Sequence, residues 1–437
     1  AHNKMIHYKK IIFTMLLSYL ISNDNTIEVS IVKNFYNNDY PDLMDYYNSG
    51  VSSESSYFLT KYIYNTGNLN FHVNPLFQEN NSKILSMGVV YKFNNHYVNL
   101  GKVHPYKYKK HSYTITNNSL PFYQIEFGNN EKILSSIFHL DYFITLGLLN
   151  DEKPYFFDID YGEIRSDQYI RSPLIHSKNF NFSVFDSRKN EYNFGFSHAA
   201  MFGGEILMGE SILKPRNDFK AFLDVLILRP NTYQNYDTVG EGNHVGSLDF
   251  TFKSYKDINF YIQKMFDDRS GFSFKNAMDG IYILELPKNN NLLNNIILES
   301  IISKNQSGKR HPPGIDSYYW HNIYTNGWRQ DNFSIGNAFI LPNNNRKTIY
   351  KLKLNLKNKV NISLYRINEF EYYGAKSEDD VALNINHDKI IDKKKGIGLN
   401  LSNEFQGFII NHFFNYEHSS NNDLFGYKIK VSRQVKL

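Results

Sequence analysis

Long runs in which apolar and polar residues take turns, one for one, limit this chain's fold more than any other feature. Leu69, Phe71 and Val73 alternate with Asn68, Asn70, His72 and Asn74. Tyr350, Leu352, Leu354 and Leu356 alternate with Lys351, Lys353, Asn355 and Lys357, and after Asn358-Lys359 the pattern resumes at Val360, Ile362 and Leu364. Phe408, Ile410, His412, Phe414 and Tyr416 form another row, and Phe425, Tyr427, Ile429, Val431, Val435 and Leu437 run to the C-terminus. Successive side chains of a strand point to opposite faces, so each run predicts a strand with one apolar and one polar face.

Such strands suit either a soluble sandwich, with the apolar face inward, or a membrane barrel, with the apolar face on lipid and the polar face on a wet lumen. Three features favour the barrel. The runs reach about ten residues, the span a tilted transmembrane strand needs. Aromatics recur at run ends, as at Tyr350, Phe414 with Tyr416, and Phe425 with Tyr427, where interfacial girdles belong. Lys, Asn and Ser occupy the polar face even in mid-run. Arg433 breaks the last apolar row, which an interface or a lumen tolerates. At about 20 residues per strand and connection, the chain after residue 50 supplies roughly 18 antiparallel strands. The fold class read here is all-β: a large transmembrane β-barrel. Lys357 to Val360 reads as a tight periplasmic turn. Ile367 to Ile397, with Glu378, Asp379, Asp380 and Lys393-Lys394-Lys395, reads as a solvated extracellular loop. Asn217 to Leu228 reads as a short helix inside or below the barrel.

Residues 1–50 form a separate segment. Lys4 and Tyr8-Lys9-Lys10 precede an apolar run from Ile11 to Ile21. The run is too short for a transmembrane helix, which takes about 20 residues. Two readings stay open: a signal-like segment, or a small amphipathic helical element on the periplasmic side. Asp39 to Tyr47 reads as a short helix and Ile27, Val29, Ile31 and Val32 continue an apolar pattern. Residues 51–437 are assigned to the barrel. The 34 Tyr and 34 Phe suit strands and lipid boundaries, although an AT-rich genome would enrich them too. Cysteine is absent, which excludes disulfides and thiolate chemistry. The net charge of +5 is mild and dispersed, so no nucleic-acid partner is called for. A local basic surface would suit an acidic polysaccharide or lipopolysaccharide phosphates.

Between Tyr192 and Pro342 lies a dense ordered series: Phe196-Ser197-His198 to Gly203-Gly204, Gly242-Asn243-His244-Val245-Gly246-Ser247-Leu248-Asp249, Asp267-Asp268-Arg269-Ser270-Gly271, Asp279-Gly280, Gln306-Ser307-Gly308, Asp316-Ser317-Tyr318-Tyr319-Trp320-His321, Tyr324, Gly327-Trp328 and Ile335-Gly336. This series resembles the Bacteroidota branch of the Wzi family of capsule-assembly proteins. The resemblance implies an outer-membrane barrel of about eighteen strands that attaches or organises capsular or exopolysaccharide through an outward lectin-like surface, without catalysis. Lipopolysaccharide and an outer-membrane protein complex are the further partners considered. A porin-like channel and an accessory barrel of a secretion complex are the rival functions. A soluble sandwich or a barrel-shaped hydrolase is the third.

The chemistry in the residues themselves is sparse. His198, His244, His311 and His321 lack the i, i+4 pairing of a helical zinc site, so neither metal nor cofactor is expected. Gly195-Phe196-Ser197-His198-Ala199 lacks the last glycine of a nucleophile elbow. Asp267 and Asp268 with Glu299 could be drawn as a glycosidase acid pair. The structural reading is preferred: His198, Asn243, His244, Asp249, Asp267, Asp268, Arg269, Asp279 and Asp316 form a network inside the barrel that holds inward-folded loops. Tyr318, Tyr319, Trp320, His321, Trp328 and Arg329 are the candidates for polysaccharide contact, because aromatic faces stack on sugar C–H faces and Arg donates to uronate carboxylates. Their alternative is girdle and lumen packing.

Overall fold

The structure is a computed structural model that describes residues 26–36, 57–78, 82–104, 112–116, 119–129, 135, 137–151, 168–208, 210–227, 242–267, 276–287, 292–305, 318–319, 324, 327–330, 333–340, 346–370, 390–420 and 422–436. Eighteen antiparallel strands form one sheet, and the strand Thr26–Tyr36 pairs with the last strand, Asp423–Lys436, to close it into a barrel. The apolar residues Ile27, Val29, Ile31 and Val32, grouped above with the N-terminal segment, therefore lie on a barrel strand. The remainder of that segment, with its helical readings, lies outside the described residues. No described helix is long and apolar enough to cross a membrane.

The alternation is inside-out relative to a soluble protein. On the strand Phe122–Asn129, Ile125 is 51% exposed while its neighbour Glu126 is fully buried. Lys351 is buried in the lumen and faces Glu299 on the adjacent strand at 3.4 Å, whereas Tyr350 beside it is exposed. Burying lysine and exposing isoleucine makes physical sense only when lipid lies outside and polar groups pair within. This decides between sandwich and membrane barrel.

The two rims differ. One carries short turns, among them Gly67-Asn68, Asn94-Asn95, residues 357–359 and Gln406-Gly407, and both the first and last strands begin or end there. Gly67, Asn94, Gln406 and Gly407 all have positive φ, as tight hairpins require. The other rim carries the long connections 104–121, 149–173, 203–242, 303–346 and 371–389. Short turns face the periplasm and long loops the cell exterior. Arg433 sits exposed at the short-turn rim with its guanidinium 5.0 Å from the Phe408 ring centre, the interfacial placement the sequence allowed.

Two expectations are corrected. Of the stretch 367–397, residues 367–370 end the strand Val360–Phe370 and 390–397 begin the strand Ile390–Phe405, while 371–389 lie outside the described residues; Lys393-Lys394-Lys395 are therefore on a strand, which rises beyond the apolar belt, so polarity there does not mean loop. The short helix is Phe219–Leu226, capped by Asp218, which accepts from the Ala221 N–H at 2.7 Å. It lies neither inside nor below the barrel. Its Ala221 and Val225 pack on Ala200 and Phe202, with Leu146 and Leu174 beside them. These barrel residues share the face of exposed Phe194, so the helix lies on the outer wall at the long-loop rim.

Candidate functional site

Lumen-facing side chains change character along each strand. At the long-loop end they are apolar: Ile175, Ala199, Met201, Val245, Met265, Ile281, Ile301, Ile349 and Ile367, all fully buried. Deeper in they are polar, as with Ser177, Asn179, Asn181, Ser247, Asp249 and Gln263. An apolar collar inside a membrane barrel needs something to pack against, and the incoming loops supply it. Tyr113 and Ile115 from one loop, and Tyr318, Tyr319, Tyr324, Trp328, Ile335 and Ile340 from another, join the collar in a single core. Leu120 reaches the opposite wall, against Val32, Tyr57, Leu76 and Leu85. The described loop residues thus cross the outer half of the lumen as a plug.

Two carboxylates tie the plug to the wall. Asp267, the last residue of its strand, accepts the Tyr113 hydroxyl at 2.5 Å through one oxygen and the Tyr319 N–H at 2.8 Å through the other. Asp279 accepts the Tyr318 hydroxyl and the Asn305 N–H, both at 2.8 Å, and the Asn305 side-chain amide at 2.8 Å. The loops also hold each other. Tyr113 and Tyr319 stack with centroids 4.7 Å apart, the Tyr319 hydroxyl donates to the Tyr113 carbonyl at 2.5 Å, and the Trp328 indole N–H donates to the Thr114 carbonyl at 2.6 Å. Tyr319 adopts φ +68°, a left-handed conformation that a bulky residue holds only when its surroundings impose it. A Cβ on Gly336 would collide with the Tyr319 hydroxyl and the Tyr113 carbonyl, so only glycine fits beneath that ring.

The network expected from the sequence is thereby divided between two faces of the wall. Asn243, Asp249, Asp267 and Asp279 lie on the lumen side or in the plug, and Asp249 accepts from Ser247 and the Gln263 amide at 2.9 and 3.0 Å. His198 and His244 do not lie there. They share the outward face of Phe194, and His198 Nε2 meets His244 Nδ1 at 3.0 Å near the outer-wall helix. The phase of the alternation, which sequence alone does not anchor, sets this. Among the described residues no group of three or more His, Cys, Asp or Glu is placed to hold a metal. Asp268, Arg269, His311 and Asp316 lie outside the described residues. Of the candidates for polysaccharide contact, Tyr318, Tyr319 and Trp328 are fully buried and Arg329 is 6% exposed; Trp320 and His321 lie outside the described residues. The drawn acid pair is also spoken for: both oxygens of Asp267 serve the plug, and Glu299 faces Lys351.

Burial dominates the electrostatics of the plug. It raises the hydroxyls of Tyr113, Tyr318 and Tyr319 well above the usual tyrosine range, keeping them as donors. It also pushes the Asp279 carboxyl up to about 6, outweighing the donors that favour its charged form. A raised carboxylate pKa means the latched plug binds the proton more tightly than the released loop does. The stabilisation is complete below about 4 and is lost as pH rises through 6, a difference of ~3 kcal/mol for a shift of about two units. Hydrogen exchange at Tyr318 and Tyr319, corrected for intrinsic rates, should therefore show firmer protection at pH 4.5 than at pH 8. The Asp279→Asn variant should flatten that dependence; an equally steep one would assign the proton elsewhere.

The sequence model of the capsule assembly protein Wzi matches residues 32–424. The chain belongs to the Wzi capsule assembly family. Membership in the Wzi family and the closed barrel place it in the bacterial outer membrane and in capsule assembly. Among solved structures it is similar to Escherichia coli Wzi, described as an outer-membrane protein involved in group 1 capsule assembly and a carbohydrate-binding β-barrel. That likeness is one of fold: 16% identity, 97% of this chain and 86% of that chain covered, TM-score 0.60. OpdL of Pseudomonas aeruginosa (10% identity, 95% and 99% covered, TM-score 0.43) and a BenF-like porin of Pseudomonas fluorescens (9%, 96% and 100%, 0.43) are more distant. No curated protein sequence matches the chain. Within this Wzi-family barrel, the residue that sequence reasoning misses is Tyr113. Nothing in its neighbourhood signals a partner about 150 residues downstream at Asp267.

Proposed function

We propose that this barrel attaches and organises capsular polysaccharide at the cell surface without catalysing a reaction, using the outward side of its plug as a fixed platform. The observation that carries this reading is the plug itself. A channel needs a polar path, and here the outer half of the lumen is crossed by a core of tyrosine, tryptophan and isoleucine. Rigid placement of loops favours recognition, because less ordering remains to be done on binding. Tyr318, Tyr319 and Trp328 then act by shaping the platform, and the sugar contacts fall to groups above them. Deleting the gene should release capsule into the medium, scored by immunostaining of cells beside assay of the supernatant. Capsule that stays on deleted cells in wild-type amount refutes the attachment role.

A further inference from the structure

The lysine run that reads as a loop in sequence becomes a site once it is on a strand. Lys394 points into the lumen, where its Nζ lies 3.3 Å from Glu369, a carboxylate shared with Lys347 at 3.2 Å. Lys393 and Lys395 take the opposite face and are exposed on the outer wall. Lys395 lies directly opposite Arg366 on the neighbouring strand Val360–Phe370, and Lys393 lies opposite Asn368. Asn368 accepts from Arg366 Nε at 3.1 Å, which holds the guanidinium in the row. On the other side His418 is opposite Lys395, and its partner Asp423, 2.7 Å away, stands in the same outward row, whereas Asp392 and Glu417 fall in the alternate, lumen-side rows. Among the described residues no carboxylate pairs with Arg366, Lys393 or Lys395.

Their level is set by what lies beneath. The next outward row, Leu364, Ile397, Tyr416 and Phe425, is 42–46% exposed and belongs to the apolar belt. The cations therefore stand where the belt ends, at headgroup depth, on the rim of the long loops. That rim lies in the outer leaflet. Below Arg366 and Tyr350 the wall carries a groove of about 470 Å³ walled by Phe260, Leu284, Leu298, Leu352 and Leu364. Below Lys395 and His418 a shallower one of about 490 Å³ runs past Ile397 and Tyr416. Two like charges set directly opposite each other on adjacent strands repel, and a shared anion relieves that repulsion.

We propose that Arg366, Lys393 and Lys395 bind the phosphate of an outer-leaflet phosphoglycolipid, with its acyl chains along the apolar groove below Arg366 and past Ile397 and Tyr416 in the shallower one. The proposal rests on the outer-membrane placement and stands apart from the capsule-attachment reading. Arginine forks across two phosphate oxygens, the lysines add point charges, and the grooves supply the apolar contact that distinguishes a lipid from free phosphate.

The test is native mass spectrometry of the purified, delipidated barrel titrated with bis-phosphorylated lipid A and with the same lipid enzymatically dephosphorylated. The wild type should bind the phosphorylated form at least tenfold more tightly, and millimolar inorganic phosphate should not compete. The Arg366→Glu, Lys395→Glu double variant should lose that preference, while Lys189→Glu, in a short-turn connection, keeps it. Retained heat-modifiable migration on gels shows that each variant is a folded barrel. Equal binding of the two lipids, competition by inorganic phosphate, or an unaffected double variant overturns the site. Capsule retention scored on the same variants separates the two proposals, because loss of lipid preference with capsule retained leaves the attachment reading intact.

Discussion

Replacing Asp267 with alanine should turn a silent barrel into a conducting one. Among the described residues the carboxylate is the one acceptor for the Tyr113 hydroxyl and the Tyr319 N–H, and both tyrosines are fully buried. Leaving a buried donor without an acceptor costs ~1–3 kcal/mol, so losing two costs ~2–6 kcal/mol. Even the lower figure raises the population of released plug by about thirtyfold. The barrel wall should survive, because its ladders do not run through this side chain. The measurement is single-channel recording in planar bilayers: rare or no openings for the wild type, frequent openings for Asp267→Ala. Asp267→Asn retains one carbonyl acceptor and should fall between them. A folded Asp267→Ala barrel that stays as silent as the wild type would mean that the plug is held by something other than this carboxylate.

Trp328→Ala should have the second large effect. The indole is fully buried, donates to Thr114 and packs with Tyr319, Ile335 and the collar. Truncating a buried tryptophan costs ~3–5 kcal/mol. Loss of protection should spread to residues 112–116, whose Thr114 carbonyl accepts from the indole, and surface capsule should fall with it. Trp328→Phe keeps much of the volume and should keep most of the capsule. The order of events is what matters. If Trp328 contacted sugar directly, capsule would be lost from Trp328→Ala while hydrogen exchange at 112–116 stayed slow.

The wall of this protein is legible in its sequence because lipid reverses the usual burial rule in a way that alternation exposes directly. Rows such as Tyr350–Leu356 and Phe425–Val431 can be placed on one face without knowing any partner strand. The strand Thr26–Tyr36 is harder to separate, since its apolar residues follow an apolar run that ends only a few residues earlier. Lys393-Lys394-Lys395 defeat the same logic from the other side: a strand that rises above the membrane no longer needs an apolar face, so it reads as loop. His198 and His244 fall on the opposite side of the wall from the one expected because their strands carry a short outward apolar row, and the helix near them replaces lipid at that level.

The plug is legible only as a list. The ordered block names Asp267, Asp279, Tyr318, Tyr319 and Trp328, and all five prove to be plug residues or its ties. What alternation cannot show is which loop residues fold back to meet them. Tyr113 meets Asp267 and Tyr319 because its loop turns into the lumen, a long-range event with no local signature. The aromatic character that suggests sugar stacking is the same character that fills a collar, and only burial separates the two.

A plugged outer-membrane barrel that holds capsule by direct contact should bind it in purified form. The most direct test immobilises the purified wild-type barrel and measures binding of capsular polysaccharide isolated from the same cells, with the same preparation assayed for conductance. Saturable binding by a non-conducting barrel is the predicted result. A barrel that conducts freely and shows no binding would contradict the account and make the channel the reading to pursue.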